Sequence, residues 1–196
     1  LDTSRFCGGA APFRNSGEAR YVDTLAYALY RRSVYDRVGF YDERLRRTED
    51  NDMHYRMRMA GYRFYFSPDI RSYHASRGTL AGQLKQKWGN GYWIGRTMHI
   101  QPRCFAPRHL IPALFVLTLA LLSLLAGWCA WPLVGLLALY AVISVYFSIQ
   151  GAVLQPCGRL LCALCLPFLF PLVHMVYGVG TLCGLMMPAP AEAHHA

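Results

Sequence analysis

An acidic run, Thr48-Glu49-Asp50-Asn51-Asp52, is the segment of this sequence best suited to proton transfer. A carboxylate at the start of a helix that faces a cleft can act as a general base and take a proton from a hydroxyl nucleophile. A structural interpretation fits equally well: Thr48 caps the helix, and the acids lie at its positive N-terminal end. Asp52 and Arg56 are one turn apart and can form an ion pair. The residues alone leave both interpretations open.

A second group combines aromatic, amide and basic side chains. The run 83–93 contains Lys87, Trp88 and Trp93, and we predict a helix-like segment interrupted by Gly89 and Gly91. Tryptophan rings beside lysine suit stacking on sugar rings and binding of phosphate. The alternative is an interfacial amphipathic segment whose cations contact anionic lipid headgroups. His74 ends a predicted strand and is either a structural residue or a neighbour of the site.

The elements that must position these groups are short strands and helices. The helix after Thr48 buries Met53, Met57 and Ala60 at helical spacing and ends at Gly61. The other predicted elements are a strand at Val22–Tyr30, a helix over 31–38 that Gly39 ends, and strands over 63–66 and 70–73.

Charge divides the 196 residues into two parts. Residues 1–108 carry 19 of the 20 Lys and Arg and 10 of the 11 Asp and Glu, so they hold the whole formal net charge of +9. This division excludes a disulfide scaffold, a coiled coil and a solenoid. The basic residues are interleaved with acids and match no nucleic-acid-binding motif, so no nucleic-acid partner is expected. The positive excess instead suits the cytoplasmic membrane leaflet and anionic diphosphates.

The second part of the sequence predicts a membrane region. Three apolar runs, at about 110–127, 132–149 and 160–182, are each near the roughly 20 residues that a spanning helix needs. The third contains prolines, so a kinked span and a re-entrant segment are alternatives. Arginines precede the first and third runs, which places the soluble part in the cytoplasm by the positive-inside rule. Cys157, Cys162 and Cys165 are interpreted as packing residues, and no metal site is expected.

Several motifs, in order and with their spacing, resemble the C-terminal half of family 2 glycosyltransferases. Within that family they are most similar to membrane-bound bacterial enzymes of the succinoglycan glucosyltransferase type, over roughly residues 5–125. The motifs that carry the resemblance are Val22-Asp23-Thr24, Arg31-Arg32-Ser33-Val34-Tyr35, Val38-Gly39-Phe40-Tyr41-Asp42-Glu43, Thr48-Glu49-Asp50 and Tyr55-Arg56-Met57-Arg58-Met59-Ala60-Gly61.

The resemblance implies an α/β fold: the C-terminal part of a GT-A nucleotide-sugar transferase domain, followed by about three transmembrane helices. It divides the chain into an acceptor-side part (1–78), an interfacial basic segment (79–108), a transmembrane region (109–187) and a disordered tail (188–196). The implied reaction is inverting transfer of a hexose from a nucleotide-sugar donor to a saccharide or lipid-linked acceptor. The implied setting is exopolysaccharide biosynthesis at the bacterial inner membrane, with polysaccharide-assembly proteins as further candidate partners.

The resemblance also implies roles for residues. Asp50 is the expected base with Glu49 beside it, and the expected substrate-binding neighbours are Asp52, His74, Lys87, Trp88 and Trp93. Gln83 and Lys87-Trp88 match the family's Gln-x-x-Arg-Trp element only loosely, which favours transfer of a single sugar over processive synthesis.

The family's donor-binding half, with its Mg²⁺ or Mn²⁺ motif, precedes the region that this sequence resembles. The sequence begins at Leu1 without a methionine, so a fragment of a longer enzyme is expected, with the metal ligands outside this chain. The alternative is an inactive, truncated membrane protein that binds a saccharide or a partner enzyme.

Overall fold

The computed structural model describes residues 6, 17–70, 77–154 and 158–190. Helices dominate these ranges. The elements in chain order are β1 (Arg20–Val22), α1 (Arg32–Val38), α2 (Glu49–Met59), β2 (Phe64–Phe66), α3 (Leu80–Thr97), two 3-10 turns (Pro102–Cys104 and Pro107–Leu110), α4 (Ile111–Leu125), α5 (Trp131–Val153) and α6 (Arg159–Met186). The sheet within the described ranges has two strands, so the α/β expectation is not confirmed there.

A small core holds the first part together. Val34 of α1, Met53 and Met57 of α2 and Phe64 of β2 are its buried members. The predicted stripe on α2 is therefore confirmed for both methionines, while Ala60 is half-buried at the end of the helix.

The predicted strand at Val22–Tyr30 is wrong beyond Val22. β1 and β2 are antiparallel, with Val22 opposite Phe64, so a longer β1 would have to pair with the residues just after the turn at Gly61. The chain leaves the sheet instead. The helix predicted over 31–38 is confirmed and ends at Gly39, where φ is 80° and favours glycine. The predicted strand over 70–73 lies outside the described residues except for Ile70, which is not in a strand.

The prediction of an interruption at Gly89 and Gly91 is wrong, because α3 is one continuous helix of 18 residues. A Cβ atom on Gly91 or Gly95 would collide with the α6 backbone, and one on Gly184 would collide with the α3 backbone. Small residues at a helix interface let two backbones approach closely. These glycines therefore form a helix-helix contact instead of ending the helix.

Three helical segments are long and apolar enough to cross a membrane: Pro107–Leu125, Trp131–Val153 and Arg159–Met186. They confirm that the three predicted apolar runs are helical, with lengths compatible with membrane spans. The third is a single helix that continues through Pro167 and Pro171. Pro171 has no N–H to donate to the carbonyl of Pro167, but the Ser144 hydroxyl of α5 donates to that carbonyl at 3.2 Å. A neighbouring helix thus compensates for the proline, which favours a kinked span over a re-entrant segment.

Candidate functional site

A cavity of about 1030 Å³ lies where the soluble part meets the membrane helices. Its polar end is formed by the loop after β1, by one face of α2, by α3 and by the two 3-10 turns. Its apolar end is formed by α4, α5 and α6. Among the described residues, one cavity therefore has a polar end and an apolar end.

One face of α2 contributes Asp50, His54 and Arg58 to this cavity. These residues are four apart, so they lie above one another on successive turns. Asp50 is exposed, and its Oδ1 accepts hydrogen bonds from the backbone N–H of Asn51 at 2.8 Å and from the Asn51 side chain at 2.9 Å. The predicted base therefore has a solvent-accessible carboxylate that faces a cavity.

His54 is buried, with 1% of its surface exposed. Its Nδ1 is hydrogen-bonded to the Thr24 hydroxyl at 2.8 Å, and its Nε2 to the Tyr30 hydroxyl. Burial lowers the pKa of His54, which favours the neutral imidazole. Since both ring nitrogens are engaged, His54 fastens the loop after β1 to α2. His54 is not among the site residues predicted from the sequence, although its spacing of four residues from Asp50 is a signal for it.

Four cations surround the polar end of the cavity: Arg58, Lys87, Arg103 and Arg108. Arg58 also donates to the backbone carbonyl of Asp23 at 2.6 Å. Of these cations, Lys87 is predicted from the sequence as a substrate-binding residue, and that role stays a prediction. From the sequence, Arg103 and Arg108 indicate only the orientation of the membrane spans. In the structure they also line the cavity. A cluster of this kind suits an anionic ligand such as a phosphate or diphosphate.

The apolar end of the cavity extends among the membrane helices. His174 of α6 lies there, with its Nε2–H donating to the carbonyl of Phe6 at 2.9 Å and its Nδ1 accepting from the Tyr140 hydroxyl at 2.8 Å. The other lining residues of these helices are Ile111, Pro112, Phe115, Ile143, Phe147, Val173 and Tyr177. This part of the cavity suits a hydrocarbon chain.

Asp52 and Glu49 are placed differently from Asp50. Asp52 is 4% exposed and pairs with Arg56 at 2.9 Å, as the spacing predicted, and it lines a separate cavity of about 460 Å³. Glu49 does not line the large cavity, and its Oε2 is buried without a hydrogen-bond partner among the described residues. Of the three acids, only Asp50 reaches the large cavity.

Trp88 and Trp93 also lie outside the lining of the large cavity. Trp88 is 41% exposed, and Trp93 packs edge-on against Tyr92. Neither lines the cavity that contains Lys87. His74 lies outside the described residues.

Thr48 is the N-cap residue of α2, as predicted, but its side chain makes no capping hydrogen bond. Its backbone is left-handed, with φ of 67°, whereas an N-cap residue typically has an extended backbone. The hydroxyl instead donates to the Arg47 carbonyl and lies 2.6 Å from the hydroxyl of Thr97 on α3.

The described residues contain no group of three or more His, Cys, Asp or Glu side chains that could hold a metal ion. The Mg²⁺ or Mn²⁺ site stays a prediction for a longer parent chain.

The three long apolar helices are typical of a membrane protein, and the large cavity lies between them and the charged first part of the chain. The chain belongs to the glycosyl transferase family group 2, whose family model matches residues 4–188. Membership supports the transfer of a sugar from a nucleotide-sugar donor to an acceptor. No curated protein and no solved structure matches the chain.

Proposed function

We propose that this chain is the acceptor-side part of an inverting hexosyltransferase that adds a single sugar to a lipid-linked acceptor. The proposed setting is polysaccharide biosynthesis at the bacterial inner membrane, with the soluble part, completed as a GT-A domain, on the cytoplasmic side. The observation that supports it is one cavity that contains Asp50, four cations and the apolar surfaces of three membrane helices.

Asp50 acts as the general base in this proposal. The acceptor hydroxyl attacks the anomeric carbon of the donor sugar while a carboxylate oxygen of Asp50 takes the hydroxyl proton. The bond between the anomeric carbon and the diphosphate oxygen breaks, the nucleoside diphosphate leaves with the electron pair, and the configuration at the carbon inverts. A positioned base of this kind contributes about 10²–10⁴-fold in rate.

The cations offset negative charge on the diphosphate groups. The leaving nucleoside diphosphate gains charge during transfer, and fixed cations stabilise such charge best where water is largely excluded. Arg103 and Arg108 immediately precede α4, so they can also hold the phosphate of an acceptor whose lipid lies in the bilayer.

The apolar end of the cavity favours a lipid-linked acceptor over a free saccharide. Ligand sites match their lining to the ligand, and a free saccharide has no hydrocarbon chain to cover the apolar surface of Phe115, Ile143 and Phe147. A lipid-linked sugar has a hydrocarbon chain for these surfaces, a phosphate for the cations and a hydroxyl for Asp50.

The proposal is tested with membranes that contain the full-length protein carrying this chain. They are incubated with radiolabelled nucleotide-sugars, and the product is partitioned between organic solvent and water. We expect label in the organic phase, its loss in Asp50→Asn, and its retention in Asp36→Asn, which changes an exposed carboxylate on α1.

Each alternative gives a different result. Label confined to water-soluble product would contradict the lipid-linked acceptor but not sugar transfer. Absence of transfer from every donor, with binding of the acceptor retained, would instead favour the inactive saccharide-binding membrane protein.

A further inference from the structure

The residue directly before the α2 acids has an unusual backbone. Thr48 has φ of 67°, in the left-handed region, and its carbonyl accepts the N–H of Asp52 in the first turn of α2. β-branched residues rarely adopt this conformation, because the branched side chain crowds the backbone. The angle at Thr48 sets the direction in which α2 starts and therefore the position of the Asp50 carboxylate. Contacts outside α2 must therefore hold the backbone of Thr48 in this conformation.

A hydroxyl pair supplies one such contact. The hydroxyl oxygens of Thr48 and Thr97 are 2.6 Å apart, and either hydroxyl can be the donor. Thr97 is fully buried at the end of α3, so no water replaces this bond. A direct bond thus joins α3 to the start of α2.

A second contact comes from the residue before Thr48. The guanidinium of Arg47 donates to the side-chain oxygen of Asn90 on α3 at 2.6 Å and lies against Gly89. α3 in turn is packed against α6 through Gly91 and Gly95, whose missing side chains allow backbone contact. The start of α2 is therefore bound at two adjacent residues to a helix that is itself fixed on a membrane helix.

We propose that Thr97 is a positioning residue for the transfer reaction: its hydroxyl holds Thr48 in the left-handed conformation and thereby aims Asp50 into the cavity. This inference rests on the function proposed above. Thr97 does not line the cavity, so it acts on the rate of the chemical step and not on substrate binding. A base displaced by about 1 Å can lose up to roughly 10²-fold in rate.

The test compares kcat and KM of the full-length protein for wild type, Thr97→Val, Thr97→Ser and the double variant Thr48→Gly with Thr97→Val. We expect Thr97→Val to lower kcat about 10-fold to 100-fold with an unchanged KM for the donor. Serine keeps the hydroxyl and should retain the wild-type kcat. Glycine adopts positive φ without support, so the double variant should recover most of the kcat lost in Thr97→Val.

Thr181→Val is the matched control. Thr181 is also a fully buried threonine at the contact of α3 with α6, but its hydroxyl donates to the Tyr177 carbonyl within α6. We expect it to retain wild-type kcat. If Thr97→Val failed to fold, Asn90→Ala would take its place, because it removes the partner of Arg47; it should lower kcat with KM unchanged.

Three results would overturn the inference: wild-type kcat in Thr97→Val, an equal loss in Thr97→Ser, or no recovery in the double variant. An inactive wild type would count against the proposed function instead, so the two failures are distinguishable.

Discussion

The contact of α3 with α6 depends on glycine, and Gly95→Ala tests it. A Cβ atom at this position would lie 2.6 Å from the Leu185 nitrogen and 2.8 Å from the Gly184 carbonyl carbon. The Thr181 carbonyl oxygen would be closer still. An ordinary contact begins at 3.4 Å, so the two helices must separate by more than about 0.8 Å. A gap of 0.5–1 Å forfeits a quarter to a half of the dispersion attraction between facing atoms. We expect a loss of about 1–3 kcal/mol in the free energy of unfolding.

The matched control is Gly135→Ala on α5, where a Cβ atom meets nothing within 4 Å. Both substitutions gain the roughly 1 kcal/mol by which alanine favours a helix over glycine, so the difference between them isolates the contact. The assay is equilibrium unfolding in mixed micelles, followed by tryptophan fluorescence. Gly95→Ala should unfold at lower denaturant than wild type, and Gly135→Ala at the same or higher denaturant. Equal stability of the two variants would refute the close packing of α3 on α6.

Three further predictions concern ion pairs, pH and the cations. Arg56→Ala should lower the free energy of unfolding, measured by denaturant titration, by about 3–5 kcal/mol, because it leaves the Asp52 side chain, 5% exposed, without its partner. The control is Arg32→Ala, which breaks an exposed ion pair. It should change the free energy of unfolding by less than about 1 kcal/mol. Burial depresses the pKa of His54 below its ordinary value of 6.5, so protonation favours the unfolded chain. Stability should therefore fall as pH decreases from 6.5 through the folded pKa, and unfolding curves of His54→Gln should lack this component. Arg103→Gln should raise the KM for the lipid-linked acceptor and weaken its salt dependence in the transfer assay, and an unchanged KM would remove this cation from the phosphate site.

Local signals account for what the sequence predicted correctly. α1 ends at a glycine with positive φ, α2 carries its methionines at helical spacing, and the three spans are long charge-poor runs. Each of these features depends on residues within a few turns of one another. The exposed carboxylate of Asp50 also follows from its place at the start of α2.

Long-range contacts account for what the sequence did not predict. The left-handed Thr48 depends on Thr97, which is 49 residues away. Gly91 resembles a helix breaker until α6 is placed against it. Arg103 and Arg108 lie more than 50 residues after Asp50, and only the folded chain brings them to the same cavity. Residues that converge in this way carry no spacing signal in a single sequence.

The most direct test of the proposed chemistry compares Asp50→Asn with Glu49→Gln in single-turnover transfer by the full-length protein. The two carboxylates are adjacent in sequence, but only Asp50 lines the cavity, and both substitutions preserve side-chain size. We expect Asp50→Asn to lose about 10²–10⁴-fold in rate with donor binding retained, and Glu49→Gln to stay within a few-fold of wild type. A near-normal rate in Asp50→Asn, or a larger loss in Glu49→Gln, would contradict the assignment of Asp50 as the base.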